Sequence, residues 1–354
     1  MSKTIIPVIF RKDTIINVYV YGRKIRIIKG LLNTRETMKN ILLAVIIMLF
    51  VPTITLDSLA QRQKVIIDCD LGDDIDDAFA LALLLASPEL DIVGIVLDYG
   101  NTPKRAQIAC RILYETGCEG IPVVIGRKTN DGYAKQFHWG EGFEKLKPLK
   151  QAGADFIIEQ LRKYPGEIIL ITVGPVPNMA DIIDKDPGAL KLARHVYSMF
   201  GSFYLGYGSS PVPSAEWNVR ADVEASRKLI SSGADITCAG LDITTFVILE
   251  YEMIEQMNLR KSPLTDALVG LYSLWGLERG PKPQPILFDA VTVAMILWPE
   301  LFKTRKAHVF VTDEGYTVID DTKEPNCEIG MSIKTEEFLK LYTNRIMRQN
   351  LMRK

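Results

Sequence analysis

The chain has 354 residues, of which 47% are hydrophobic and 8% aromatic, and its 42 basic and 43 acidic side chains give a formal net charge of −1. This apolar fraction can fill a core, which excludes a disordered or collagen-like chain, and the near-neutral charge argues against a nucleic-acid partner. Five scattered cysteines without a CxxC spacing indicate neither a zinc site nor a disulfide framework.

The first 60 residues are unlike the rest, with nine basic and three acidic side chains. In this part, Met38-Lys39-Asn40 precedes an apolar run over residues 41–51, and a polar stretch with small residues then leads to Ala60. This pattern is typical of a secretory signal peptide, whereas a membrane-spanning helix needs about 20 apolar residues. We therefore expect 1–37 to be a mis-assigned upstream extension, 38–60 a signal peptide, and 61–354 a periplasmic or secreted protein.

From Lys64 onward, short β-branched runs alternate with amphipathic stretches, as in βαβ units. In chain order, strands are predicted at 65–68, 92–97, 122–125, 167–173, 195–199 and 236–239. Helices are predicted to begin near Asp76, Thr102, Ala154, Val176, Val223, Pro263, Asp289 and Thr335. The pattern favours a single α/β domain over 61–354, with an open, mostly parallel sheet flanked by helices. A ligand site is expected at the C-terminal ends of the strands.

A cluster of aspartates gives the strongest chemical signal. Six of the ten residues from Asp68 to Asp77 are aspartates, directly after a predicted strand and directly before a predicted helix. Carboxylates packed so closely repel one another, and a hard divalent cation such as Ca²⁺, which takes six to eight oxygen ligands, would relieve that repulsion.

Simpler readings of the cluster explain less of it. A solvated turn, with Asp76 as helix cap and Asp77 at the positive end of the helix dipole, accounts for two of the six aspartates. An EF-hand loop fails because its sixth and twelfth positions would be Asp73 and Phe79 rather than glycine and glutamate. A haloacid-dehalogenase-type phosphatase remains an alternative, although Gly72 stands where that family has threonine or valine.

The sequence resembles the nucleoside hydrolase family at five places in chain order. The aspartate cluster is similar to the family motif Asp-x-Asp-Pro-Gly followed by Asp-Asp-Ala, with Leu71 in place of proline and two extra residues between the halves. The remaining four places are Gly100-Asn101-Thr102, residues 172–178, Ala215-Glu216-Trp217-Asn218 and Phe288-Asp289-Ala290.

The resemblance implies a ribonucleoside N-ribohydrolase with Ca²⁺ as cofactor. It implies that Asp70 is the general base and that Ca²⁺ is bound by Asp70, Asp77, the backbone carbonyl of Val173 and Asp289. Substrate contacts are implied for Asp76, Asn101, Glu216, Trp217, Asn218 and Phe288. The implied partner is a small nucleoside, with no nucleic acid and no membrane after signal cleavage. The implied assembly is a homo-oligomer, either a dimer or a tetramer.

Phe288 departs from the family pattern. Many members carry a histidine there that protonates the leaving base, and phenylalanine cannot donate a proton. His138 lies in a segment that resembles the family's His-Gly-x-Asp-Gly loop, and we therefore predict that His138 is the catalytic donor. A ribosyl- or sugar-binding protein that retains the metal site but has little turnover stays open as the alternative of a different class.

Overall fold

A computed structural model describes residues 62–353 and three strands nearer the amino terminus. The chain divides into two units, Met1–Ala60 and Gln61–Lys354. In the first unit, β1 (Arg11–Lys12), β2 (Ile15–Val20) and β3 (Arg23–Ile28) form an antiparallel sheet in that order, which the sequence did not predict. The predicted signal peptide at 38–60 lies outside the described residues, and its assignment stays a prediction.

The second unit is built on a nine-stranded sheet. Its strands are β4 (Gln63–Cys69), β5 (Leu90–Leu97), β6 (Val123–Ile125), β7 (Leu149–Ala152), β8 (Ile168–Thr172), β9 (His195–Met199), β10 (Ile236–Ala239), β11 (Phe302–Ala307) and β14 (Cys327–Ile333). Their order in the sheet is β11-β14-β10-β9-β8-β4-β5-β6-β7. Neighbouring strands are parallel except for β11 and β14. A separate antiparallel pair consists of β12 (Val309–Val311) and β13 (Thr317–Ile319).

Helices connect the strands, and the sequence predicts eight of the twelve α-helices that the described residues form. They are α1 (Asp76–Leu85), α2 (Thr102–Thr116), α3 (Phe137–Gly140), α4 (Gly153–Lys163), α5 (Pro177–Lys185), α6 (Trp217–Ala221), α7 (Val223–Ile230), α8 (Leu241–Thr244), α9 (Tyr251–Arg260), α10 (Pro263–Gly276), α11 (Phe288–Leu297) and α12 (Thr335–Arg348). All eight predicted helix starts are confirmed to within one residue. Among the described residues, no helix combines the length and the apolar character needed to cross a bilayer.

The sheet separates two apolar cores, and β4 contributes to both. Val65 and Ile67 belong to the core on one face, Ile66 belongs to the core on the other, and all three are fully buried. A parallel strand covered on both faces is a continuous apolar run, which is why β4 could be predicted from its sequence. The predicted α/β fold is thus confirmed.

The chain reverses the order of its strands around β4. From β4 it proceeds to β5, β6 and β7 on one side, and it then returns to add β8, β9 and β10 on the other. At such a switch point the loops after neighbouring strands diverge, leaving a crevice at the carboxyl ends of the strands. The aspartate cluster directly follows β4 and therefore lies at this crevice.

Candidate active site

The loop after β4 turns sharply to bring its aspartates to the start of α1. Gly72 has a φ of +114°, which favours glycine, and a Cβ at this position would lie 2.9 Å from atoms of Ile108 and Phe137. Asp76 and Asp77 occupy the first turn of α1 and are buried, where the positive end of the helix dipole favours carboxylates.

A second segment, distant in sequence, supplies another buried carboxylate. Asp289 is in the first turn of α11, and α11 packs against α1. Oxygen atoms of Asp76, Asp77 and Asp289 lie within 4.8 Å of one another. Burial, reinforced by the neighbouring carboxylates, raises the pKa of each of the three well above its ordinary value.

These three carboxylates and Asp70 line one cavity of about 120 Å³. Nine of the residues predicted from the sequence lie around it: Asp70, Asp76, Asp77, Val173, Glu216, Trp217, Asn218, Phe288 and Asp289. The lining also contains Asp73 and Asp74, which belong to the aspartate cluster of the sequence, together with Met199 and Tyr207.

Two residues predicted for the site, Asn101 and His138, are not part of the cavity lining that the described residues form. The Asn101 side chain donates to the carbonyl of Gly132 at 3.4 Å. The His138 side chain is 54% exposed, and its Nδ1 lies 3.2 Å from the Tyr133 hydroxyl and 3.4 Å from Glu141 Oε2. The structure therefore gives His138 surface partners and does not place it beside Asp70.

Glu216 and Asn218 are fixed by hydrogen bonds at the start of α6. The Glu216 carboxylate accepts from the amides of Asn218 at 2.8 Å, Gly201 at 3.1 Å and Val219 at 3.3 Å. Burial raises the pKa of Glu216 to about 7, although these amides favour its ionised form. The Asn218 side chain donates to the carbonyl of Val173 at 3.2 Å, which orients the peptide that the sequence analysis selected as a metal ligand.

Arg105 is a buried cation that the sequence analysis missed. Its guanidinium donates to the carbonyls of Asp70, Leu71 and Tyr99, and it lies 3.8 Å from the Asp70 carboxylate and 3.1 Å from that of Asp73. Burial raises the pKa of Asp70 to about 6, and Arg105 opposes that rise. Arg105 thus holds the loop after β4 and offsets part of its negative charge.

Two buried carboxylates lie close to Asp70: Asp68, which belongs to the aspartate cluster of the sequence, and Asp98, which was not predicted. Asp98 directly follows β5, is fully buried, and has no hydrogen-bond partner for either carboxylate oxygen among the described residues. Asp68 accepts a hydrogen bond from Asn178 at 2.6 Å, and burial raises its pKa to about 7. Asp98 occupies the same place after β5 that Asp70 occupies after β4, so the rule for strand ends could have found it.

The aromatic side chains of Tyr207, Trp217 and Phe288 line part of the cavity. The ring centroids of Tyr207 and Phe288 are 6.2 Å apart, those of Tyr99 and Trp217 are 6.5 Å apart, and both pairs meet edge to face. The Tyr207 hydroxyl accepts a hydrogen bond from the Trp217 amide at 2.9 Å. Trp217 is 46% exposed, so its ring is accessible to a planar ligand that enters the cavity.

Comparison with known proteins identifies relatives along most of the chain. It is 29% identical over 283 residues to Uridine nucleosidase 1 of Arabidopsis thaliana, covering 74% of this chain and 82% of that protein. It is 28% identical over 313 residues to the pyrimidine-specific ribonucleoside hydrolase RihA of Citrobacter koseri, covering 80% of this chain and 97% of that protein.

Solved structures agree with this relationship. The chain superposes on a plant nucleoside hydrolase with a TM-score of 0.72 at 26% identity, covering 81% of this chain and 100% of the other. A purine-preferring ribonucleoside hydrolase from Gardnerella vaginalis shares the fold, with a TM-score of 0.71 at 24% identity over 80% of this chain and 98% of the other. Residues 65–340 match the family described as inosine-uridine preferring nucleoside hydrolase. The chain therefore belongs to this family and is a nucleoside N-ribohydrolase.

Proposed function

We propose that this enzyme hydrolyses the N-glycosidic bond of ribonucleosides in a Ca²⁺-dependent reaction, with Asp70 as general base. The observation that carries the proposal is the common cavity of Asp70 and the three-carboxylate group of Asp76, Asp77 and Asp289. The names of the curated relatives favour uridine as the first substrate to assay.

The chemistry of the cluster fits a hard divalent cation. Asp77 Oδ1 is buried without a hydrogen-bond partner among the described residues, and the three clustered carboxyls have pKa values raised well above the ordinary value. For these buried carboxyls to be ionised together, a bound positive charge must offset their repulsion. Carboxylate and carbonyl oxygens are the ligands that Ca²⁺ takes. We assign Asp70, Asp77, the Val173 carbonyl and Asp289 as the ligands, with Asp76 adjacent.

The remaining steps belong to residues of the chain. A bound Ca²⁺ would supply Lewis-acid activation of water and a grip on sugar hydroxyls. Asp70 accepts the proton of the water that attacks C1′ of the ribose. Glu216, Asn218 and Asp76 bind the ribose hydroxyls, and the surrounding carboxylates stabilise the positive charge that develops on the sugar.

Two further properties are proposals that rest on the sequence alone. We propose that the protein is exported after cleavage of 38–60 and that it forms a dimer or tetramer. Amino-terminal sequencing of the mature protein should begin near Gln61, and sedimentation should give two or four chains. An intact amino terminus or a monomer would contradict the respective proposal.

The reaction is tested by measuring reducing-sugar release from uridine and inosine, with and without a chelator. We expect release that the chelator abolishes, and Asp70→Asn should reduce kcat by a factor of at least about 100, since a general base contributes about 10²–10⁴. Asp313→Asn is the matched control because that side chain is 87% exposed. Binding of Ca²⁺ and ribose without sugar release would instead support the binding-protein alternative.

A further inference from the structure

The segment between β6 and β7 contacts the loop after β4 (residues 70–75) through Gln136. The Gln136 side chain is 1% exposed, and its Nε2 donates to the carbonyl of Asp74 at 2.7 Å and to that of Asp73 at 3.3 Å. Both acceptors lie between Asp70 and the first turn of α1 in the sequence. Gln136 therefore bonds to the part of the loop that leads into the three-carboxylate group.

The two carbonyls determine which way the Gln136 amide faces. A carbonyl only accepts hydrogen bonds, so the amide nitrogen, and not the amide oxygen, must point towards Asp73 and Asp74. The Gln136 oxygen is then buried with no hydrogen-bond partner among the described residues. A buried acceptor without a partner lowers stability, and native proteins keep few of them. This cost indicates that the side chain is placed for its contact with the loop.

Two side chains hold the loop after β4 at its opposite ends. Arg105 donates to the carbonyls of Asp70 and Leu71 at the beginning of the loop, and Gln136 donates to the carbonyls near its end. Arg105 also pairs with the Asp73 carboxylate, whereas the neutral amide of Gln136 offsets no carboxylate. Gln136 thus fixes the backbone and leaves the negative charge at the start of α1 available to a cation.

The neighbouring residue Phe137 completes the contact by packing. Phe137 is 2% exposed, and a Cβ at Gly72 would lie 2.9 Å from Phe137 Cε1. The guanidinium carbon of Arg105 lies 5.8 Å from the centre of the Phe137 ring. Interiors packed this closely transmit displacements, so a change at Gln136 reaches the loop after β4.

The end of this loop determines where α1 begins. Asp74 Oδ1 accepts a hydrogen bond from the Ile75 amide at 2.7 Å, and the Ile75 carbonyl accepts from the amides of Ala78 at 3.1 Å and Phe79 at 3.3 Å. The carbonyls bound by Gln136 directly precede this turn. Without their donor, the peptide groups are free to rotate and to shift the first helical turn, which carries two carboxylates of the three-carboxylate group.

We propose that Gln136 is a positioning residue of the cation site, which orients the end of the loop after β4 so that the carboxylates of α1 converge with Asp289. The inference rests on the proposed function and adds to it a residue outside the cavity lining. Groups that orient the ligands of a metal typically contribute a factor of about 10–100 to its affinity. Because Gln136 acts through the backbone, we expect the lower end of that range.

Calcium titration into the chelator-treated full-length protein tests this role with Gln136→Met. Methionine has a similar length and no donor, so the dissociation constant for Ca²⁺ should rise at least about tenfold. The melting temperature of the metal-free protein should change by less than 3 °C, because the substitution removes the unpartnered oxygen together with the two hydrogen bonds. Gln256→Met, on the exposed side of α9, is the matched control and should leave the dissociation constant within twofold.

Uridine hydrolysis gives a second readout. At a Ca²⁺ concentration that half-saturates the unmodified protein, Gln136→Met should lower the rate at least fivefold, and saturating Ca²⁺ should restore it to within threefold. A dissociation constant within twofold of the unmodified value, or a loss of rate that Ca²⁺ does not restore, overturns the inference and leaves the proposed function intact. Absence of Ca²⁺ binding to the unmodified protein overturns both.

Gln136→Asn keeps the test decisive if Gln136→Met does not fold. Asparagine retains the amide but is one methylene shorter, so it does not reach the two carbonyls at hydrogen-bond distance. The dissociation constant for Ca²⁺ should then rise at least threefold. An unchanged dissociation constant in a folded Gln136→Asn protein would overturn the role assigned to Gln136.

Discussion

Replacing Arg105 by methionine tests how the loop after β4 is held. Arg105 is 1% exposed, and its guanidinium donates to three backbone carbonyls, those of Asp70, Leu71 and Tyr99. Methionine fills much of the space of the arginine stem but provides no donor. The three carbonyls would then lose their bonds in a buried region.

The expected loss of stability follows from the three lost hydrogen bonds. An unsatisfied buried acceptor costs about 1 kcal/mol at the lower end of measured values, so three cost about 3 kcal/mol. The ion pair with Asp73 adds little because that side chain is 57% exposed. A loss of about 3 kcal/mol corresponds to a fall in melting temperature of about 5–10 °C in a domain of this size.

Thermal unfolding followed by circular dichroism gives the measurement, with uridine hydrolysis as a second readout. Because the same loop carries Asp70, kcat should fall together with the melting temperature. Arg162→Met is the matched control, since this side chain is 65% exposed and pairs, among the described residues, only with Asp186. A melting temperature within 2 °C of the unmodified protein, with unchanged kcat, would refute the role assigned to Arg105.

Three other outcomes are expected. Gly174→Ala should lower kcat at least about 100-fold, because a Cβ there would lie 2.8 Å from Asp70 Oδ1 and displace the base, whereas Gly120→Ala, which meets no atom within 4 Å, should have no effect. His138→Ala should change kcat less than twofold, since its side chain is 54% exposed and bonded at the surface. In chelator-treated protein, the melting temperature should fall as the pH is raised from 5 to 8. Burial raises the pKa of Glu216 in the folded protein to about 7. The stability contributed by its neutral form is therefore fully present below the pKa that the group has in the unfolded chain, and it is lost as the pH rises through 7.

For each of these three predictions, a specific result would contradict it. Full activity in Gly174→Ala would show that the loop yields without moving the base. A large loss of kcat in His138→Ala would restore the donor role predicted from the sequence. A melting temperature that rises with pH in chelated protein would mean that the buried carboxyls are already compensated by charges within the chain.

Six of the seven interior strands of the nine-stranded sheet could be predicted from the sequence, whereas the interior strand β14 and the two edge strands could not. In β8, Ile168–Thr172 is buried at every position and appears in the sequence as an apolar run. In contrast, β7 reads Leu-Lys-Gln-Ala and β11 reads Phe-Lys-Thr-Arg-Lys-Ala, and both lie at the ends of the sheet. Edge strands are partly solvated and carry charged residues, so they lack the apolar pattern on which the prediction depended.

Some residues of the site could likewise be predicted from the sequence, whereas others could not. Asp70 and Asp289 could be selected because each follows or begins a predicted element and belongs to a motif. Arg105 lies near the start of α2, and nothing in the local sequence distinguishes it from a surface arginine. Its role appears only when the fold brings α2 beside the loop after β4. Likewise, His138 lies in the short helix α3, whose position depends on the irregular segments on either side of it, and local pattern does not determine their path.

Calcium titration into chelator-treated protein tests the central claim most directly, namely that carboxylates from the start of α1 and the start of α11 form one cation site. Isothermal calorimetry should show one ion bound per chain. Asp289→Asn should weaken that binding at least about 100-fold without lowering the melting temperature of the metal-free protein, because it removes one of several repelling charges. Absence of binding to the unmodified protein, or equal affinity in Asp289→Asn, would contradict the account.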